Sequence, residues 1–198
     1  GMSKLTKITI PNSVTSIGRY AFYGCSGLTK VNYLGTVDKW VDIDFKDSDS
    51  NPTYYAKDLY INNELLADVK ITTADSIKNY AFYNCQSIKS VEIGESVTSI
   101  GEDAFYGCSG LTEVTIPNSV TSIGSSAFSS CSRLTSVIWN AKNCKNYISP
   151  RNSPFYGISS NITSFTFGNE VEHIPAYLCY GMSKLTKITI PNSVTSIG

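Results

Sequence analysis

The 198-residue chain has little charge: Asp, Glu, Lys and Arg together make up 16% of it, and the two signs cancel to a formal net charge of zero. So low and balanced a charge leaves no basic footprint for DNA, RNA or an anionic membrane surface. There is a single histidine, His173, and no C-x-x-C, H-E-x-x-H, G-x-S-x-G or glycine-rich phosphate loop. Zinc sites, zinc-protease helices, nucleophile elbows and nucleotide cradles are therefore not expected. No apolar run approaches the ~18 residues that a membrane span requires. With these classes set aside, no catalytic, cofactor-binding or metal-ligating residue is expected, and the chain is read as a non-enzyme without a cofactor.

What the chain has in abundance is repetition. Residues 1–18 and 181–198 are one string, GMSKLTKITIPNSVTSIG, offset by 180 positions. Worn copies open at Leu111 (LTEVTIPNSVTSIG) and Ile88 (IKSVEIGESVTSIG), and Cys85, Cys108 and Cys131 recur at intervals of 23. Units run 5–27, 66–87, 88–110, 111–133 and 162–184, with an incomplete one at 185–198. Two units, 28–65 and 134–161, are swollen by insertions within 32–64 and 139–154. Repetition at this period marks a solenoid, in which each turn is stable only when stacked on its neighbours. One continuous array over residues 1–198 is expected, and because it begins and ends inside a turn it is read as a piece of a longer one.

The chemistry kept at each position assigns its role. Leu5, Ile8 and Ile10, like Leu111, Val114 and Ile116, are apolar while Thr9 and Thr115 between them are not, which is a short period-two strand. A proline or glycine at Pro11, Gly94, Pro117, Gly168 and Pro191 ends it. Val14 and Ile17 form a second apolar pair, and Phe22 and Cys25, three apart, suit one helical or 3-10-like turn. Successive units then place their strands side by side in parallel, about 4.8 Å apart. The expected fold is a repeat solenoid, a right-handed coil with parallel strands on one face and short second strands or helical turns on the other.

Four of the six cysteines, Cys25, Cys85, Cys108 and Cys131, share one slot that other units fill with Ile158 or Met182. Interchange with aliphatic residues marks a small apolar group, and free cysteine behaves that way when buried. Stacked neighbours about 4.8 Å apart are also too distant for the ~3.5–4.5 Å between Cβ atoms of a disulfide. Cys144 lies in an insertion and has no assignment. His173 stands where other units have Ser16, Ser99 and Ser122, so it is expected on the surface. Asp47, Asp49 and Asn51 resemble the opening of a calcium loop, with Asp58 at the twelfth place. Pro52, however, sits where the sharp turn needs glycine, so a solvated polar loop is the expectation. Asn161-Ile162-Thr163 matches a glycosylation sequon.

In the first insertion Thr36 caps a helical start, Trp40 is apolar core, and Leu59 to Leu66 reads as a hairpin around Asn62-Asn63. The insertion is read as elaborating the side away from the strands, the other possibility being a protruding aromatic patch for a partner. Trp139, at an inward strand position, is expected in the core.

The phrase LTKITIPNSVTSIGRYAFYGCSG resembles the repeat of the BspA-like leucine-rich-repeat family, and GTVDKWVDIDF with NPTYYAKDLYINNELL resembles an insertion found in such proteins. The resemblance implies a non-enzymatic, cell-surface or secreted binding module whose partner is a protein, such as a host matrix or cell-surface protein. The outward strand side chains Lys7, Thr9, Lys70, Ser90, Glu92, Glu113, Thr115, Ser136, Thr166 and Lys187 are the candidate binding grid, with Ile138 as its one apolar anchor. The competing reading is a structural spacer that displays another domain, favoured by the near-perfect Ser/Thr repetition. The identical end units also suggest head-to-tail self-association.

Overall fold

The apolar alternations of every unit but the last become strands in the computed structural model, which describes residues 2–198. Lys7–Pro11 pairs in parallel with Lys30–Leu34, Asp68–Ile71 with Ser90–Ile93, and Glu113–Ile116 with Ser136–Trp139, which in turn pairs with Ser164–Phe167. The register matches one repeat to the next, as in Lys7 opposite Lys30 and Glu113 opposite Ser136. A one-residue slip would turn the buried Val114 and Ile116 outward, so the pattern fixes the register. A second row of two-residue strands follows: Ser16–Ile17 beside Asp44–Phe45, then Ser76–Ile77, Ser99–Ile100 and Ser122–Ile123 side by side, then His173–Ile174 beside Ser196–Ile197.

The third row is made of turns. Cys85 N–H donates to Phe82 O at 3.0 Å and Cys108 N–H to Phe105 O at 3.1 Å, so phenylalanine and cysteine do point inward from one tight turn. Between layers, Phe82 N–H donates to Ala104 O at 2.7 Å and Phe105 N–H to Ala127 O at 2.8 Å. The turn places Tyr20, Tyr80, Asp103, Ser126 and Tyr177 at φ between 52° and 61°, a conformation uncommon outside glycine. Its repetition shows that the ladder, rather than any one side chain, dictates the backbone there. Gly94 is required for space, since a Cβ on it would lie 2.6 Å from Ile71 O.

The core runs the length of the stack. Phe82, Phe105, Phe128 and Phe155 form a column with centroid spacings of 5.2, 5.2 and 5.7 Å. All four are fully buried, as are Ala81, Ala104 and Ala127 beside them. Removing such a side chain from water is worth roughly 1.5–3 kcal/mol.

The first insertion departs from expectation in where it lies. Thr36 does cap the helix Val37–Val41, accepting from Lys39 N–H at 3.3 Å, and Trp40 is fully buried. The hairpin also forms, Leu59–Ile61 running antiparallel to Glu64–Leu65, with Asn62 and Asn63 at φ 50° and 72°. But Leu59–Ile61 pairs in parallel with Lys30–Leu34, so the hairpin joins the strand face instead of elaborating the side away from it. The cause is thickness. A helix is about 10 Å across, twice the spacing of strands, and the extra strand fills the height that Val37–Val41 adds to its layer.

In the second insertion Trp139 is core, and Ala141, Cys144 and Tyr147 are buried with it. Lys145 N–H donates to Thr121 O at 3.0 Å and Glu172 N–H to Lys142 O at 2.9 Å, so this stretch supplies the second row between its neighbours. The last unit is the weakest. Residues 185–190 form no strand, although the same string at the start of the chain forms Lys7–Pro11, and Ile188 and Ile190 are 40% and 42% exposed.

Candidate functional site

The outward side chains of the strand row form the expected grid. Lys7, Thr9, Lys70, Ser90, Glu92, Glu113 and Thr166 are exposed, while Thr115, Ser136 and Ile138 are half-buried. Lys187 is exposed in the segment that forms no strand. The register brings Lys70 against Glu92, with Nζ 3.2 Å from Oε2, and lets Ser136 Oγ donate to Glu113 Oε2 at 2.7 Å. Ile138 lies between Thr115 and Thr166. An ion pair this exposed is worth at most about 1 kcal/mol, so these contacts set the pattern of charge more than stability. Lys7 and Thr9 belong to a separate sheet and face Lys30 and Asn32.

The hairpin adds residues that the repeat pattern did not single out. Tyr60 pairs across to Leu65 and lies beside Asn32, so both project from the strand face. Lys30 Nζ sits 4.1 Å from the centre of the Tyr60 ring, a cation–π contact. Leu65 is 49% exposed and Leu34 41%. Asn32 Oδ1 accepts from Asn63 N–H at 2.7 Å, which pins the hairpin tip to the preceding strand. The signal for Tyr60 and Leu65 was present in the Asn62-Asn63 turn; reading the hairpin as an elaboration on the far side hid it. Beside Leu65 an open groove of 590 Å³ is lined by Asp58, Ala67, Gln86, Ser87, Lys89, Gly110, Thr112 and Arg133.

The helix Val37–Val41 of the same insertion is tied to the next layer. Asp38, in the first turn of Val37–Val41, accepts from Thr72, Thr73 and Ala74 N–H at 2.8–2.9 Å. Burial alone would raise its pKa, but the bonds from Thr73, Ala74 and Thr72 outweigh it and hold the carboxyl at about 2.

The cysteines and the histidine are used within the stack. All six cysteines are free, and burial pushes the Cys85 and Cys131 thiols up to about 12 and Cys108 well above the usual thiol range. The Cys108 and Cys131 thiols donate to Phe82 O and Phe105 O at 3.3 and 3.1 Å, which makes them part of the stacking ladder. His173 is half-buried instead of lying free on the surface. Its ring bridges Ser196 Oγ at 2.7 Å and Asn146 Oδ1 at 2.8 Å, because the swollen layer beneath it brings Asn146 within reach. Asp47 and Asn51 are used structurally: Ser50 Oγ closes the 3-10 turn on Asp47, and Asn51 Nδ2 donates to Tyr80 O and Ala81 O. Among the described residues no group of His, Cys, Asp and Glu is placed to hold a metal ion, and no helix is long and apolar enough to cross a membrane. Asn161, of the sequon, ends the 3-10 turn Ser159–Asn161 and is half-buried.

Comparison with known proteins agrees with this geometry. The chain matches the family described as BspA type Leucine rich repeat region in six copies, over residues 1–63, 53–152 and 75–198. No curated protein matches it. Among solved structures it is similar to a leucine-rich repeat protein from Eubacterium ventriosum, at 24% identity and a TM-score of 0.60, over 95% of this chain and 49% of that one. It is also similar to the leucine-rich repeat protein of T. pallidum, at 24% identity and a TM-score of 0.50, over 95% of this chain and 87% of that one. These likenesses concern the fold, and the chain spans about half the length of the first.

Proposed function

From a chain that belongs to the BspA-type leucine-rich repeat family, a family of generally non-enzymatic protein-interaction modules, we propose a protein-binding module that recognises its partner through the strand face. The observation that carries this is the hairpin. It sets Tyr60 and Leu65, with Lys30 and Leu34, beside an otherwise polar grid and next to the 590 Å³ groove. Aromatic and aliphatic anchors ringed by polar side chains are how protein interfaces concentrate their affinity. Lys70, Glu92, Glu113, Ser136, Ile138 and Thr166 extend the face along the stack, and Lys7, Thr9 and Lys187 lie toward its two ends.

A cell-surface or secreted location and an adhesion role, with a host matrix or cell-surface protein as partner, belong to this reading, as does a right-handed coil. Head-to-tail self-association does too, supported by the open apolar row of Ile188, Ile190 and Ile197.

The spacer reading has one observation in its favour. Thr98, Thr121 and Thr163 turn their hydroxyls back onto Asp75 O, Thr98 O and Thr135 O at 3.1, 3.2 and 3.3 Å, so they serve the stack instead of a partner.

Surface plasmon resonance against immobilised host matrix proteins tests the proposal. Binding by the unaltered chain that falls at least tenfold with Leu65→Asp or Tyr60→Ser supports the strand face. Binding unchanged by both overturns the strand face as the site, and binding absent across the panel favours the spacer.

A further inference from the structure

The turn row carries a second surface that the strand-face reading does not use. Tyrosines from consecutive layers stack there. Tyr54, Tyr83 and Tyr106 lie face to face, with centroids 5.7 and 4.8 Å apart and ring planes 7° from parallel. Tyr80 meets Tyr83 edge-on at 6.1 Å, and Tyr20 meets Tyr23 in the same way at 5.9 Å. The last two are 61% and 60% exposed, far more than large aromatic side chains need be in a stack that buries its phenylalanines completely.

Carboxylates border this row without cations to match. Tyr80 N–H donates to Glu102 O at 2.9 Å, which sets Glu102 and Asp103 beside it. Burial, then the charges of Glu102, Asp103 and Asp47, raises the Tyr80 pKa, and Asp103 and Asp49 add to the rise that burial causes at Tyr83. Among the described residues none of these four forms a salt bridge, and Asp47 Oδ2 is buried with no hydrogen-bond partner. The charge of Arg19 lowers the Tyr80 pKa slightly against these carboxylates. Lys46 and Lys78 are engaged by Asp44 and Asp42, which leaves the exposed Lys57, at the end of the turn that carries Tyr54, as the nearest other lysine in sequence.

The next layer shows that the fold does not need these groups. Glu102, Asp103 and Tyr106 are replaced one repeat later by Ser125, Ser126 and Ser129, on the same backbone turn, with Asp103 and Ser126 at φ 52° and 57°. Burial, followed by the charge of Glu102, raises the Asp103 carboxyl to about 6, and burial followed by Asp47 raises Asp49. Below pH 4 Asp103 is protonated and costs the fold nothing. As pH rises through 6 it ionises against its surroundings, so at neutral pH the serine version would be the more stable one. Negative charge is held here at a cost to stability, beside aromatic rings.

We propose that this tyrosine row and its carboxylate rim bind an arginine-bearing, cationic segment of a partner protein. A guanidinium is planar, stacks on tyrosine faces and forks onto carboxylates, whereas an ammonium is a compact, strongly hydrated point charge. The pairing of a half-buried tyrosine stack, flanked by the exposed Tyr20 and Tyr23, with carboxylates that form no salt bridge fits the first better than the second.

Fluorescence anisotropy of labelled nona-arginine, nona-lysine and nona-glutamate peptides with the whole chain tests this. Its net charge of zero keeps non-specific attraction of polycations low. Nona-arginine is expected to bind more tightly than nona-lysine, and nona-glutamate not at all. The double substitution Glu102→Ser with Asp103→Ser, which copies the neighbouring layer, is expected to weaken nona-arginine roughly tenfold, the factor that ~1.4 kcal/mol represents. Tyr106→Ser is expected to narrow the preference for arginine over lysine. Circular dichroism should show all these variants folded, and Leu65→Asp should leave the peptide binding intact, which separates this surface from the strand face. Absence of nona-arginine binding, or equal binding of both cationic peptides unaffected by these substitutions, overturns the proposal.

Discussion

The regular layers between residues 66 and 133 and the enlarged layer 28–65 solve one problem in two ways. In the regular layers the backbone does the joining: Tyr80, Phe82, Phe105 and Gly107 N–H groups each reach a carbonyl of the next layer. In the enlarged layer backbone bonds remain only in part, from Lys78 N–H to Val41 O and from Gln86 N–H to Lys57 O, and side chains supply further links. Trp40 Nε1 donates to Ala81 O at 2.8 Å, Asn51 Nδ2 to Tyr80 O and Ala81 O at 2.7 and 3.0 Å, and Thr53 Oγ1 to Tyr83 O at 2.7 Å, while Asp38 holds the 72–74 turn. A repeat can therefore depart from its period, provided that buried donors and acceptors are matched by other means. The departure also brings the apolar and aromatic anchors onto the strand face.

The comparison can be broken at its strongest point first. Phe105→Ala opens a cavity between Phe82 and Phe128 and should cost ~3–5 kcal/mol in chemical denaturation. A loss below about 1 kcal/mol, the range of surface changes, would show that the phenylalanine column is not the core.

Asn51→Ala removes two hydrogen bonds to the next layer, although Tyr83 N–H still reaches Tyr80 O and Trp40 Nε1 still reaches Ala81 O, and a loss of about 1–3 kcal/mol is expected. Glu102→Ser in the regular region should change stability by no more than ~0.5 kcal/mol, since its side chain joins nothing. Equal effects of the two in parallel denaturation curves would remove the distinction between side-chain and backbone joining.

Asp38→Ala should cost about 1 kcal/mol, the usual worth of a carboxylate that caps backbone N–H groups. Because its folded pKa lies near 2, below the ordinary 3.8, its contribution is complete above pH 4 and vanishes as pH falls through 2. Urea midpoints of the unaltered chain and the variant should therefore converge at the acid end. Curves that stay parallel to pH 2 would show that Asp38 is not the anchor of the turn.

The smallest effect is expected for Thr121→Ala. Its hydroxyl bond to Thr98 O is exposed, and the backbone bond from the same residue at 2.9 Å remains, so the change should stay within ~0.5 kcal/mol.

The regular layers were legible in the sequence because one physical constraint, stacking, acts alike on every unit. Interchange of cysteine with isoleucine and methionine at one slot was enough to place that slot in the core. Thr36, Trp40 and the Asn62-Asn63 turn were also readable, each from local chemistry. The destination of the hairpin was not, since it depends on the thickness that a helix adds to a layer, which no local pattern encodes. The bridging of His173 by Asn146 was hidden for the same reason, as the partner arrives from an insertion out of register. Neither the tyrosine row nor its rim stood out, because Tyr83 and Tyr106 recur in step with the repeat and look like repetition.

Native-state hydrogen exchange across the whole chain tests most directly whether the enlarged layer is built into the stack and holds its anchors rigidly. Amides of Leu59–Ile61 and Leu66 should be protected nearly as well as those of Lys30–Leu34 and Ser90–Ile93, with residues 185–190 exchanging fastest. Fast exchange of 59–66 against a protected background would show a loose appendage, and the account of a stacked, preorganised binding face would fail.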